Sequence, residues 1–484
     1  MPIQPQPTTL GAQLRRAARV AGAEPALVGD FGSLSWAELA RQAQALAQGL
    51  QAFAAGDQRP HAVSLKPDRD DVVVLLAHAL AGIPLLPLHP ALPDADALRL
   101  AQAAGARRVP LAQCLDLATA APLRNARLAR ADDDLFLVPT SGSSGLPKLA
   151  RLTHRAVVAA AAALTERLPF GKQDRWILTL PLSHVGGLSV VTRCVAALRP
   201  IVLVPRFGED AVLQAIQRDQ GTRLSAVPAI AHRLLAADAA GVLRRLSLVM
   251  LGGQAAPLAL RQALADAGVP AVASYGLTES CAAAACEAPT DAGRLLPGCG
   301  TALPGMAIQI RAPGGLALPT GSAGSIHLQG ASLLAGYAGR TDLAAFDAQG
   351  WLDTGDLGWL DDTGRLHVQG RRSEVIVTGG EKVVPGVVEA ALREHPAVRD
   401  AVVFAQPDER WGAIVCAAVE AHESAVALHG EPSLPALLAT LLPPWARPRR
   451  LACLPALPRL NTGKVDRRGT PALAAAHLKD WPPR

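Results

Sequence analysis

Apolar positions along this chain change period many times, and the changes mark its elements. Ser35-Trp36-Ala37-Glu38 spells a capping box ahead of helically spaced apolar positions over 39–53, so a helix is expected there. Short apolar runs at 61–66 and 85–88 then alternate with helix-period stretches at 70–81 and 94–104. The apolar run 135–138 leads into a glycine- and hydroxyl-rich stretch, after which the alternation resumes. Helices are expected at 154–167, 188–198, 210–218, 231–237 and 258–267, and strands at 176–180, 201–204, 224–227, 246–251 and 272–274. Such a rhythm predicts parallel βαβ units in two layers. From 308 the texture turns to short β-like runs separated by glycines 314, 315, 321 and 324 and prolines 313 and 319, which reads as a small β-barrel-like unit. Beyond 370, helix 387–394 stops at Pro396, strands 401–405 and 413–419 follow, and helix 435–442 ends at Pro443-Pro444. The fold expected is therefore α/β. A large N-terminal domain, 1–370, carries two parallel-rich sheets and the small β subdomain, with subdomains near 1–185, 186–300 and 301–370. A small mobile α+β domain, 371–484, follows it.

Composition narrows this picture. At 484 residues the chain exceeds one compact core. Half its residues are hydrophobic and 18% charged, as in globular proteins, while aromatics are only 3%, so aliphatic cores are expected. A net charge of +6 is mild, and equally compatible with ATP, CoA, nucleic acid or no anionic partner. The odd count of seven cysteines without a CxxC pair argues for reduced thiols in the cytoplasm rather than disulfides or zinc. Residues 1–9 lack the pattern of a secretory signal, and the apolar stretch 72–88 is interrupted by His78, Pro84 and Pro87, so no membrane span is expected. The tail 445–468 carries seven basic residues against Asp466, but no interleaved aromatics that would stack on bases, so nucleic acid is not expected as a partner.

Thr140-Ser141-Gly142-Ser143-Ser144-Gly145-Leu146-Pro147-Lys148 is the stretch with most chemistry. Glycines let successive N–H groups turn toward one anion, and hydroxyls plus a lysine add donors. A flexible linker has the same composition. A Walker-type loop is excluded, because it would need glycine at Pro147 and serine or threonine at Leu149.

Four further stretches follow in order: Tyr275-Gly276-Leu277-Thr278-Glu279-Ser280, Trp351-Leu352-Asp353-Thr354-Gly355-Asp356, Gly370-Arg371-Arg372-Ser373 and Asn461-Thr462-Gly463-Lys464. With the 140–148 loop they resemble the ordered signatures of the adenylate-forming superfamily, which includes acyl-CoA synthetases, luciferases and peptide-synthetase adenylation domains. The resemblance implies ATP, Mg²⁺ and coenzyme A as ligands and a role for each motif. Thr140, Ser141, Gly142, Ser143, Ser144, Gly145 and Lys148 would bind ATP phosphates. Gly252, Gly253 and Gln254 would lie along the adenine, with Tyr275 and Gly276 also at the nucleotide. Thr278 would donate to the α-phosphate and Glu279 would hold Mg²⁺. Asp356 would accept the ribose hydroxyls, with Arg371 near the same sugar. Lys464 would bridge the reacting carboxylate and α-phosphate. Ser373 would be the hinge about which the small domain turns, bringing Gly379, Gly380 and Glu381 to the thiol's path.

Pro181-Leu182-Ser183-His184-Val185-Gly186-Gly187-Leu188-Ser189 matches the family's substrate-side motif, in which His184 gates the acid pocket beside Gly276. That spelling, the compact length and the Arg371-Arg372-Ser373 hinge look most similar to the o-succinylbenzoate–CoA ligases of menaquinone biosynthesis. Such a substrate keeps one carboxylate ionised while the other reacts, so its pocket should offer a cation or several donors. Arg193, on the helix after His184, is the candidate. A medium-chain or aryl-acid CoA ligase is an alternative, as is an enzyme loading the thiol of a free-standing carrier protein. A catalytically silent nucleotide-binding scaffold is a third. A homodimer is the general default for assembly.

Overall fold

The computed structural model describes residues 9–54, 56–119, 128–140, 148–339, 345–421, 433–460 and 464–482. The capping box forms as spelled. The Ser35 hydroxyl accepts from the Glu38 N–H at 3.3 Å, and the Glu38 carboxylate accepts from the Ser35 N–H at 2.9 Å, opening helix Trp36–Ala54. Thr153 does the same for helix His154–Arg167 by accepting from Ala156 N–H at 3.2 Å. The predicted alternation of strands and helices is observed throughout this part of the chain, with bounds shifted by a few residues.

The chain divides into two compact units. One comprises Met1–Gly253, Arg261–Ile308 and Leu328–Leu352; the other comprises Gln254–Leu260, Gln309–His327 and Asp353–Arg484. The larger sheet of the first unit has nine strands. Six central ones are parallel, in the spatial order Ala271–Tyr275, Leu248–Leu251, Arg223–Ala226, Trp176–Leu178, Ile201–Leu203 and Pro25–Gly29. Antiparallel strands flank them: Ala285–Cys286 and Thr301–Ala302 at one edge, Gly32–Ser35 at the other. A second sheet runs Gly336–Tyr337, Lys148–Thr153, Asp134–Thr140, Leu85–Leu88, His61–Ser64 and Arg107–Arg108.

Three features depart from the linear reading. Strands Pro25–Gly29 and Gly32–Ser35 join the sheet built mainly from residues 176–275, so 1–185 and 186–300 are not separate layers. Pro25–Gly29 is buried along almost its whole length, and a strand buried on both faces belongs inside a sheet wherever it lies in sequence. Strand Lys148–Thr153 is an unforeseen antiparallel return from Asp134–Thr140. Finally, the compact units do not part at Gly370. The second unit includes most of the four-stranded sheet Met306–Arg311, Gly324–Gly330, Leu352–Leu360 and Leu366–Arg371. Helix Pro385–Arg393 packs on it so closely that a Cβ on Gly386 would lie 2.1 Å from the Gln369 carbonyl oxygen. The same unit carries the sheet Val398–Asp408, Gly412–Ala421, Arg450–Leu454 and Lys479–Asp480 over a core that includes Val388, Leu392, Val403 and Val415. No described helix is long and apolar enough to cross a membrane.

Candidate active site

A parallel sheet aligns the carboxyl ends of its strands, and loops at that edge form binding crevices. In the first unit this edge gathers three of the expected segments. The loop to His184 follows Trp176–Leu178, Gly252-Gly253 follows Leu248–Leu251, and the 275 motif ends Ala271–Tyr275. Gly252 and Ser274 touch across adjacent strands, since a Cβ on Gly252 would lie 2.7 Å from the Ser274 hydroxyl. Gly276 is closed against the returning chain, where a Cβ would sit 2.0 Å from the Ala282 carbonyl oxygen. The return is tight: Cys281 and Ala282 adopt φ of +52° and +93°, uncommon for residues with a side chain. Thr278 and Glu279 sit on the single 3-10 turn Thr278–Ser280 inside this loop.

Glu279 accepts a hydrogen bond at its Oε1 from the Tyr337 hydroxyl at 3.0 Å. The Lys148 ammonium lies 5.3 Å from the Tyr337 ring centre. Thr140, which is buried, and Lys148 are cross-strand partners, the last pair of the ladder between Asp134–Thr140 and Lys148–Thr153. Ser141, Gly142, Ser143, Ser144 and Gly145 lie outside the described residues. Among the described residues no cluster of three metal-ligating side chains exists. A single carboxylate such as Glu279 nevertheless fits Mg²⁺, which binds through one or two carboxylates plus substrate phosphates.

His184 caps helix Val185–Ala197 and is exposed. The paired glycines after it permit the sharp entry, since a Cβ on Gly187 would lie 2.3 Å from the Pro181 carbonyl oxygen. Arg193, two turns further, is only 1% exposed, against the usual habit of a helical arginine. Its Nε donates to Ser189 O at 2.8 Å, its Nη2 donates to Ser189 Oγ at 2.6 Å, and its guanidinium lies 4.3 Å from the Trp176 ring centre. Burial lowers its pKa to about 10, so it stays cationic near neutrality. A cavity of about 20 Å³ is bounded by Val185, Leu188, Ser189, Thr192, Arg193 and, from the far side of the 275 loop, Cys281 and Ala283.

In the second unit, Asp356 and Arg371 face one another on paired strands, with Arg371 Nε 3.0 Å from Asp356 Oδ1 and Nη1 donating to Thr354 O at 3.0 Å. Asp356 is 5% exposed. Lys464 has its pKa lowered first by burial and then by the charge of Arg371, the ion-pair partner of Asp356. Asn461, Thr462 and Gly463 lie outside the described residues. Ser373 is exposed on the turn Arg372–Glu374. Gly379 and Gly380 form the tip of the hairpin Ile376–Thr378 and Glu381–Val383, at φ of +58° and +87°. Gly379 N–H donates to Trp411 O at 2.9 Å, and the guanidinium carbons of Arg410 and Arg449 lie 5.0 and 4.5 Å from the Trp411 ring centre. Gln254, expected at the adenine, is half-buried at the start of this unit's 254–260 segment.

Three groups around these sites escaped the sequence reading. Arg261 and Glu287 form a buried ion pair at 2.8 Å, and Glu287 also accepts from Ala273 N–H at 2.7 Å, bracing the strand that ends in Tyr275. Trp411 and its arginines come next to the glycine hairpin only through folding. Tyr337 carried one signal, being one of just two tyrosines in 484 residues; the other is Tyr275.

A unit of two α/β sheets with three of the expected motif loops on the carboxyl edge of the larger one, and a second unit in which a buried carboxylate pairs with a guanidinium, suit an enzyme that binds an anionic ligand. The chain belongs to the AMP-binding enzyme family: that family's pattern matches residues 14–338, and that of the AMP-binding enzyme C-terminal domain matches 387–464. It is 38% identical over 285 residues to the 2-succinylbenzoate–CoA ligase of Bacillus velezensis, a match covering 58% of each chain. To the 2-succinylbenzoate–CoA ligase of Listeria monocytogenes it is 27% identical over 470 residues, covering 94% of this chain and 97% of that one. Among solved structures, o-succinylbenzoate CoA synthetase of Bacillus subtilis in complex with the acyl-adenylate intermediate OSB-AMP aligns over 94% of this chain and 96% of that chain, with 28% identity and a TM-score of 0.82. The same synthetase with ATP and magnesium ion aligns with the same TM-score.

Proposed function

We propose that this AMP-forming acid–thiol ligase joins 2-succinylbenzoate to coenzyme A through an acyl-adenylate. The observation that carries the substrate is Arg193. Its buried cation hydrogen-bonds Ser189 rather than a carboxylate among the described residues, and it borders a cavity whose other walls are largely apolar. That combination suits an aromatic acid with a second, unreacting carboxylate. At about 20 Å³ the cavity takes a body the size of one water, so the walls formed by the Val185 helix and the 281–283 segment must part for an aryl acid to enter.

In the first half-reaction a carboxylate oxygen of the acid attacks the α-phosphorus of ATP. The bond from that phosphorus to the bridging oxygen breaks, and pyrophosphate leaves with the electron pair. Lys464 meets the negative charge that converges on the carboxylate and α-phosphate oxygens, and the Thr278 hydroxyl donates to the same phosphate. The 140–148 loop cradles the outer phosphates, Asp356 accepts from the ribose hydroxyls, and Glu279 holds Mg²⁺. Bound there, Mg²⁺ neutralises phosphate charge. His184 screens the acid pocket, with Gly276 giving the acid close access to the backbone. In the second half-reaction the CoA sulfur attacks the acyl carbon, the thiol proton is lost and AMP departs. Turning about Ser373 exchanges Lys464 for the Gly379-Gly380-Glu381 hairpin. Trp411 flanked by Arg410 and Arg449, next to that hairpin, supports CoA as the acceptor, because its nucleotide offers an aromatic face and several phosphates. Seven free cysteines favour a cytoplasmic setting, and a homodimer is the assembly proposed.

A screen of carboxylic acids for AMP release, with and without CoA, tests this reading. The expected result is CoA-dependent turnover with 2-succinylbenzoate well above benzoate or hexanoate. Turnover with monocarboxylates alone would overturn the substrate, and pyrophosphate release that CoA never pulls forward would overturn the acceptor.

A further inference from the structure

We propose that Tyr337 is a positioning residue for the metal-bound nucleotide, holding the Glu279 carboxylate in place beside the strand that begins at Lys148. This rests on the assignment of Glu279 to Mg²⁺ given above. Tyr337 lies in the short strand Gly336–Tyr337, which pairs antiparallel with the strand leaving the phosphate loop, opposite Ala150. Backbone bonds from Ala335 N–H to Arg151 O and from Ala338 N–H to Leu149 O, both at 2.8 Å, fix it there. From that strand its hydroxyl reaches Glu279 Oε1 at 3.0 Å, and its ring lies beside Lys148, the first described residue after the loop. Leu334 N–H donates to the Glu279 carbonyl at 2.8 Å, so the same segment grips Glu279 by side chain and backbone. One residue thus ties the strand that begins at Lys148 to the carboxylate.

The hydroxyl can donate only one proton. By engaging Oε1 it orients the carboxylate and leaves Oε2, which has no hydrogen bond among the described residues, as the oxygen for a cation. Partners that hold a ligating carboxylate in this way commonly change metal affinity about tenfold or more when removed. The ring remains in Tyr337→Phe, so packing and the Lys148 contact are kept.

The test uses the full chain with a non-hydrolysable ATP analogue and Mn²⁺ as the probe, following free Mn²⁺ by electron paramagnetic resonance. Tyr337→Phe should weaken Mn²⁺ retention about tenfold, with the melting temperature of the ligand-free chain unchanged. In protein labelled with 3-fluorotyrosine, the ¹⁹F resonance that Tyr337→Phe removes should shift as the metal is titrated in. Unchanged Mn²⁺ retention in Tyr337→Phe would overturn the proposal, as would a loss matched by a lower melting temperature. Glu279→Gln separates the layers. If it retains Mn²⁺ fully, the metal assignment itself fails; if it loses Mn²⁺ while Tyr337→Phe does not, only the positioning role is lost.

Discussion

A guanidinium at 1% exposure must be stabilised where it sits, and Arg193 is held by Ser189 and the face of Trp176 rather than by an opposite charge. Such a cation gains most from an incoming anion, because the burial cost is already met within the fold. Arg193→Ala should therefore raise the Michaelis constant for 2-succinylbenzoate about 10–100-fold, the loss expected of a charge-assisted contact of about 1.5–3 kcal/mol. Monocarboxylate turnover measured in parallel should hardly move, and an equal effect on both would remove the contact. Lys464 poses the complementary case. Its pKa is lowered by burial and by Arg371, so its charge is lost at lower pH than for a free lysine. Lys464→Ala should nearly abolish acyl-adenylate formation while sparing thioester formation from supplied acyl-adenylate, and rapid-quench assays of each half-reaction distinguish this from a general loss. In wild type the adenylation rate should fall on the alkaline side, where Lys464 becomes neutral.

Among elements, the glycine hairpin 376–383 shows how local spelling and distant packing divide the work. Two consecutive glycines join the short strands Ile376–Thr378 and Glu381–Val383, and both adopt the positive φ that a two-residue turn requires. Its neighbour was not legible: a Cβ on Gly379 would lie 2.6 Å from Trp411, which is 32 positions further on in the sequence. If this hairpin lines the CoA path, Trp411→Ala should raise the Michaelis constant for CoA about tenfold, as expected for losing a contact of about 1.4 kcal/mol. The ATP–pyrophosphate exchange rate should stay near wild type, and a parallel loss of exchange would mean that Trp411 only supports the fold. Helix starts were the most legible elements, because capping at Ser35 and Thr153 is satisfied within four residues. Strand membership was the least legible, since Pro25–Gly29 finds its partner at Ile201–Leu203.

For the whole molecule, the buried histidines set the response to acid. Val74 O can only accept, so His78 Nδ1 carries its proton and His78 Nε2 accepts from His61 Nδ1 at 3.1 Å, leaving both rings neutral. Burial, then Arg107, lowers His61 to about 4; burial, then His61, lowers His78 to about 3; and burial lowers His154 to about 4. An unfolded chain takes up these protons as pH falls through about 6.5 while the folded chain does not, so their stabilisation is complete above that pH and is lost below it. Asp71 acts oppositely, because burial raises it to about 6 and its folded form binds a proton first, offsetting roughly one histidine. Denaturant unfolding should therefore show stability falling by about 2–3 kcal/mol per pH unit near pH 5; a flat profile from pH 7 to 5 would contradict neutral burial of these rings. The sequence by itself determined the α/β rhythm, the helix starts and which residue types carry the chemistry, because periodicity, caps and motif spelling act over a few neighbours. Tertiary structure alone decided that an N-terminal strand completes the central sheet, that Arg193 is buried, and that Tyr337 reaches Glu279, because burial and long-range pairing depend on which surfaces meet once the whole chain has folded.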